Sequence, residues 1–162
     1  MSINNINDVS FRPATNDDLD RITKHISGIL SEYGLNFEPE AKDADLKDIE
    51  GNYQERGGLF EIMEDAEGNL LGTVGLYPLD QESCELRKMY LAPKARGRGL
   101  GKQALERTIN QARALGFKIV TLETVSVLKE AINLYTRFGF VPAKTRHVSA
   151  RCDQAYILKL TE

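Results

Sequence analysis

Residues able to do chemistry stand closest together between positions 96 and 102, in the run Arg96-Gly97-Arg98-Gly99-Leu100-Gly101-Lys102. Glycine at 97, 99 and 101 removes the Cβ atoms that would hold a bulky anion away from backbone N–H groups, and Arg96, Arg98 and Lys102 can neutralise its charge. An apolar helical pattern begins directly afterwards, so the loop also meets the unpaired N–H groups and positive dipole end of a helix start. A phosphate or pyrophosphate is the ligand that such a turn suits. A Walker loop needs Ser or Thr after its lysine to hold magnesium, and Lys102 is followed by Gln103. The dinucleotide fingerprint G-x-G-x-x-G meets Lys102 where its third glycine belongs, and the preceding strands have antiparallel spacing. The pattern that fits is R-x-x-G-x-G at Arg96, Gly99 and Gly101.

The elements around the loop must position it. Residues 9–12 form a short strand candidate, and Thr15-Asn16-Asp17-Asp18 offers N-cap chemistry for a helix carrying Leu19, Ile22, Ile26, Ile29 and Leu30. A turn at Gly34 leads to an acidic segment, 38–50, expected to hold a second short helix before Gly57-Gly58. Strands are predicted over 59–64, 70–79 and 82–91, forming an antiparallel meander with a hairpin turn at Glu67-Gly68-Asn69. Alternation in the last strand puts 85, 87, 89 and 91 on one face. Leu100, Ala104, Leu105, Ile109, Ala112 and Leu115 then mark one face of a helix closed by Gly116, and 117–123 is a strand. Strand, helix, strand makes a right-handed crossover with its two strands parallel. A helix from Ser126 to Gly139 carries Leu128, Ala131, Ile132 and Tyr135, and strands over 140–148 and 154–160 close the chain. The fold class is α/β, with an antiparallel first half and one parallel crossover in a mixed sheet.

A chain of 162 residues suits one domain, here 9–162 after a short extension at 1–8, and no repeat or linker divides it. Hydrophobic residues at 41% and charged residues at 28% set disorder aside, and a net charge of −3 gives no basic footprint for nucleic acid. No apolar run approaches the ~20 residues that span a bilayer, and no basic, apolar leader opens the chain, so the expected location is cytoplasmic with no membrane partner. Cys84 and Cys152 read as reduced thiols, and His25 and His147 as surface residues; no metal is expected. The acidic run Glu38, Glu40, Asp43, Asp45, Asp48 and Glu50 reads first as a solvated helix face.

Two motifs in order, Met89-Tyr90-Leu91-Ala92-Pro93 leading into the glycine loop and Leu134-Tyr135-Thr136-Arg137-Phe138-Gly139-Phe140 near the end, give the chain from about Val9 to Leu160 a resemblance to the GNAT superfamily of acyl-coenzyme A-dependent N-acetyltransferases. That resemblance implies a splayed sheet with helices on both faces, parting between the parallel strands to admit the pantetheine arm of acetyl-CoA as co-substrate. Met89, Tyr90 and Leu91 would bind the arm through backbone groups, and Arg96, Gly97, Arg98, Gly99, Leu100, Gly101 and Lys102 would hold its pyrophosphate. Tyr135 matches the tyrosine that hydrogen-bonds the departing thiolate. Glu85 stands where histone-acetylating relatives keep a glutamate general base. Family members often carry Asn where this chain has Leu128, and Asn133 faces away from Tyr135.

The implied reaction is acetyl transfer to a primary amine of a small molecule or peptide by direct attack; the alternative is a non-catalytic acyl-CoA-binding or sensing module. Lys144, Arg146, His147 and Arg151 near the closing hairpin would favour an acceptor that also bears a carboxylate, whereas the acids near Asp45 would favour a polyamine. Oligomeric state is left open, a homodimer included.

Overall fold

The structure, a computed structural model, describes residues 8–144 and 151–160. In chain order it holds β1 (Ser10–Pro13), α1 (Leu19–Glu32), α2 (Ile49–Asn52), β2 (Leu59–Glu64), β3 (Leu70–Pro78), β4 (Ser83–Leu91), α3 (Leu100–Ala114), β5 (Ile119–Thr124), α4 (Lys129–Phe138), β6 (Val141–Pro142) and β7 (Gln154–Lys159). They build one seven-stranded sheet in the order β1-β2-β3-β4-β5-β7-β6. Every neighbouring pair is antiparallel except β4 and β5, which run parallel on either side of α3. Among the described residues no helix is long and apolar enough to cross a membrane.

Two apolar cores sandwich the sheet. Ile22, Ile26 and Leu30 of α1 pack with Ile49, Tyr53, Phe60 and Ile62 on one face. Leu100, Ala104, Leu105, Ile109 and Ala112 of α3 pack with Leu76, Leu86, Val120 and Tyr135 on the other. Burying each large apolar side chain among these stabilises the fold by about 1.5–3 kcal/mol, which is what seats both helices. The start of α1 follows its capping box: Asp17 N–H donates to Thr15 Oγ1 at 3.2 Å, and Thr15 N–H donates to Asp18 at 2.9 Å.

β4 and β5 pair only at Ser83–Ile119, Cys84–Val120 and Glu85–Thr121. Beyond Glu85 the strands diverge, because β5 keeps its full ladder with β7 while β4 keeps its ladder with β3. A wedge-shaped gap opens between them.

The segment 38–50, expected to hold a short helix, has helical structure as a 3-10 turn at Ala44–Lys47 followed by the four-residue α2. Aspartate side chains capture backbone N–H groups there, Asp43 from Glu38 at 2.8 Å and Asp48 from Gly51 at 2.9 Å, which competes with longer helical bonding. Other expectations need correction. The acidic run is not a solvated face throughout, since Asp43 is buried at 1% exposure. β4 does not alternate through to Leu91. A bulge against β3 places Lys88 at φ 56°, held by a 2.6 Å bond from Thr73 Oγ1 to its carbonyl, and the extra residue moves Met89 and Leu91 to the α3 face with Leu86 while Tyr90 joins the α1 face. Finally, α4 starts at Lys129 rather than Ser126, because Ser126 is tied through its N–H and hydroxyl to Asp153 at 2.8 and 2.7 Å. The closing strand predicted over 140–148 is seen as Val141–Pro142, and its stretch 145–150 lies outside the described residues, as do 1–7 of the expected extension.

Candidate active site

The glycine loop leads from β4 through a turn at Pro93–Ala95 into α3. Gly97 and Gly99 take the left-handed backbone at φ 76° and 80°, where a side chain would be strained, and Gly99 is the N-cap of α3. No side chain caps that helix, and Lys102 stands in its first turn, so its first N–H groups and its dipole face open space with a cation alongside. A Cβ on Gly97 would meet nothing within 4 Å, whereas one on Gly101 would come within 3.3 Å of Leu134 and 3.4 Å of Leu91. The loop is therefore a cradle with a bare backbone, and it fits a pyrophosphate.

A cavity of about 480 Å³ extends from this cradle. Of the loop and β4 residues expected to bind cofactor, Met89, Tyr90, Leu91, Arg96, Gly97, Gly99, Gly101 and Lys102 line it, together with Tyr135. Leu100 is buried in the core at 2% exposure, which leaves only its N–H for a ligand, and the exposed Arg98 side chain does not reach the cavity wall. Arg96 is already engaged. Its terminal nitrogens bind Glu32 at 2.6 and 3.0 Å and its Nε donates to the Leu91 carbonyl at 3.1 Å, so the guanidinium ties α1 to the end of β4 across the cavity mouth. His25, expected at the surface, does the same one residue earlier: it is half-buried with Nε2 3.0 Å from the Tyr90 carbonyl. Burial lowers its pKa, and the neutral ring donates its Nε2–H to that carbonyl.

Where the strands diverge, a narrow channel of about 60 Å³ continues the cavity inward, and Met89, Tyr90 and Tyr135 line both. The Tyr135 ring packs edge-on against Phe140 with centroids 5.8 Å apart. Burial, reinforced by Tyr90, pushes the Tyr135 hydroxyl well above the ordinary tyrosine range, so it stays protonated with an O–H able to donate. Glu85, 8% exposed, lies at the other end of the channel, with its carboxylate bound by Arg87 Nε.

A third cavity, of about 430 Å³, opens beyond Glu85 and is shared with the channel through Lys42, Glu85, Arg87 and Glu123. The Arg87 guanidinium lies 3.8 Å from the Tyr77 ring centroid, and Lys42 is 3.5 Å from Glu123. Behind this wall sits a buried ionic cluster that sequence reasoning missed. Asp43 accepts from Lys88 Nζ at 2.7 Å and from both terminal nitrogens of Arg151 at 2.7 and 3.1 Å, and Lys88 also lies 3.3 Å from Asp45. Burial alone would raise the Asp43 pKa, but Arg151 and Lys88 outweigh it and hold it at about 2. Arg151 is thus spent on Asp43 and is not the acceptor contact expected of it; Lys144 is exposed, and Arg146 and His147 lie outside the described residues. The one available signal was a lysine inside a strand that a pleat cannot bury without a partner. Among the described residues no group of three His, Cys, Asp or Glu side chains is placed to hold a metal.

Comparison with known proteins agrees with this geometry. The family model described as Acetyltransferase (GNAT) family matches residues 24–140. The uncharacterised N-acetyltransferase YjgM of Escherichia coli K12 is 37% identical over 134 residues, spanning 80% of each chain. A GNAT-family acetyltransferase of Staphylococcus aureus Mu50 superposes with a TM-score of 0.88 at 22% identity, covering 94% of this chain and 99% of that one. YncA of Salmonella typhimurium, a putative acetyltransferase solved with its cofactor acetyl-CoA, superposes with a TM-score of 0.75 at 21% identity over 96% and 95%. The splayed sheet, the bare glycine cradle at the start of α3 and the matched sequence together place this chain in the GNAT acetyltransferase family.

Proposed function

We propose that the protein transfers the acetyl group of acetyl-CoA to a primary amine by direct attack, with no acetylated protein on the path. The observation that carries this reading is that three cavities adjoin through shared lining residues: one at the glycine cradle, one in the gap between parting strands beside the Tyr135 hydroxyl, and one with a charged wall beyond Glu85. The backbone of Gly97, Gly99 and Gly101 with Lys102 would hold the pyrophosphate, and the edge of β4 at Met89 to Leu91 would run beside the pantetheine arm. When bound, acetyl-CoA supplies an activated thioester carbonyl.

The protein's own groups then have two tasks. Tyr135 donates a hydrogen bond at the sulfur as the carbon–sulfur bond breaks; with its pKa raised, it stabilises the thiolate rather than surrendering its proton. Glu85 accepts, through water, the proton that the amine must lose. A lysine-like ammonium of pKa ≈ 10.4 costs about 4.6 kcal/mol to deprotonate at pH 7, so a base at the chamber side has a barrier to lower. Cys84 does not compete for the acyl group, since it is buried and its pKa is pushed up to about 12 by desolvation.

The test is incubation with acetyl-CoA before any amine is added. The recovered protein should carry no acetyl group, and thiol release should begin only when amine enters. A stable acetylated protein that then passes its group to the amine would replace direct attack with a two-step route.

A further inference from the structure

We propose that Arg87 and Lys42 form a carboxylate anchor in the acceptor chamber, so that the substrate is a small amine that also bears a carboxylate, of the amino-acid type. The inference rests on the transfer reading above and adds the acceptor's chemical class.

Arg87 carries the argument. A guanidinium presents five N–H donors in a fixed fork; Nε goes to Glu85 and the buried Tyr53 hydroxyl also interacts with the group, which leaves donors for a ligand. Among the described residues neither terminal nitrogen hydrogen-bonds a carboxylate, and the side chain is 25% exposed and lines the chamber. Its plane is held over Tyr77, which in turn packs edge-on against the fully buried Tyr53 at 5.6 Å. Arg56 approaches the same Tyr77 ring at 4.6 Å, so a second guanidinium adds positive charge on that side of the chamber wall. An incoming carboxylate would complete the Arg87 fork. Lys42, 18% exposed and held by Glu123 only at 3.5 Å, adds a second cation on the same wall.

The acids of the chamber do not favour a polycation instead. Glu85 faces Arg87 and Glu123 faces Lys42. Asp45 is drawn inward by the Tyr53 hydroxyl and by Lys88 at 3.3 Å. Each carboxylate lining the chamber therefore has a cation beside it, and a polyamine would bring further positive charge against Lys42 and Arg87. A zwitterion meets both signs: its amine turns toward Glu85 and the channel, and its carboxylate toward the Arg87 fork.

The experiment compares matched amines that differ only in carboxylate against carboxamide. Wild type should favour the carboxylate by about 10-fold or more in kcat/KM, and Arg87→Gln should collapse that ratio toward one, chiefly through KM. The ratio isolates the anchor, because any effect of freeing Glu85 falls on both amines. Lys42→Gln, a less intrusive change, should lower the same ratio by a smaller factor. A ratio near one in wild type, or one that Arg87→Gln leaves unchanged while transfer proceeds, overturns the anchor and spares the transfer reading. Should neither amine be turned over, calorimetry on CoA-loaded protein decides. Binding of the carboxylate amine that Arg87→Gln removes supports the anchor alone, and absence of binding overturns it.

Discussion

Tyr135 shows how burial chooses between two roles for one hydroxyl. A tyrosine at its ordinary pKa of about 10 would already be a weaker acid than a thiol near 8.5, and the enclosing core raises it further. Donation of a hydrogen bond to charge that develops only in the transition state remains, and such a bond acts on kcat. Tyr135→Phe should therefore lower kcat by roughly 10- to 1,000-fold while cofactor affinity, measured by calorimetry, changes little. Unchanged turnover would return Tyr135 to the core that it shares with Phe140. The proton-accepting part proposed for Glu85 makes a different demand, because it depends on the amine. An α-amine of pKa near 8 costs about 1.4 kcal/mol to deprotonate at pH 7, less than a third of the cost for an ε-amine. Glu85→Gln should slow ε-type amines strongly and α-type amines mildly, and the deficit should shrink as pH rises and free amine accumulates. Parallel pH profiles for mutant and wild type would assign Glu85 a structural part with Arg87.

At the level of elements, β4 is where most of the site is made. Its antiparallel ladder, its loss of contact with β5 after Glu85 and its bulge at Lys88 together decide which side chains look into the gap. The bulge is held from below by Asp43, whose side chain is fully buried between Lys88 and Arg151. Asp43→Asn leaves two cations without their counter-charge and should destabilise the fold by about 3–5 kcal/mol in denaturant titration. A loss under about 1 kcal/mol would contradict the pairing. The pH dependence has a definite sign. Asp43 is held at about 2 in the folded chain against an ordinary value of 3.8, so its contribution is present above that ordinary value and is lost as pH falls from about 4 toward 2. The Asn variant should lack that part of the acid loss.

The same strand marks the limit of what the sequence disclosed. The meander, the crossover helix and the glycine loop were legible because they rest on local patterns: period-two and period-3.6 spacing, glycine and proline stops, and a loop chemistry that eliminates rival motifs. The bulge was not, since nothing in Arg87-Lys88-Met89 distinguishes an extra residue from a regular pleat; the Thr73 hydroxyl and the Asp43 carboxylate that hold it are 15 and 45 residues away. The acidic run was opaque for the same reason. Asp43 and its exposed neighbour Glu40 are indistinguishable until Lys88 and Arg151 arrive from distant elements.

Across the whole molecule, two cores clamp one sheet from opposite faces, and the cavity in the gap where the sheet parts shares lining residues with the larger cavity on each side. Arg96 and His25, both acting from or toward α1, bind the carbonyls at the end of β4, so the α1 core and the cofactor cavity are mechanically one unit. In the proposed reaction these adjoining cavities bring acetyl-CoA, seated on the glycine cradle, to an amine. The direct measurement is thiol release from acetyl-CoA across a panel of amines with no added metal, run on wild type and on Gly99→Glu, whose bulky anion would fill and repel at the cradle. The account predicts amine-dependent release with recovery of the acetylated amine for wild type, and neither release nor acetyl-CoA binding for Gly99→Glu. Folded wild type that binds acetyl-CoA yet releases no thiol with any amine, or a Gly99→Glu variant that matches it in binding and turnover, would contradict the account.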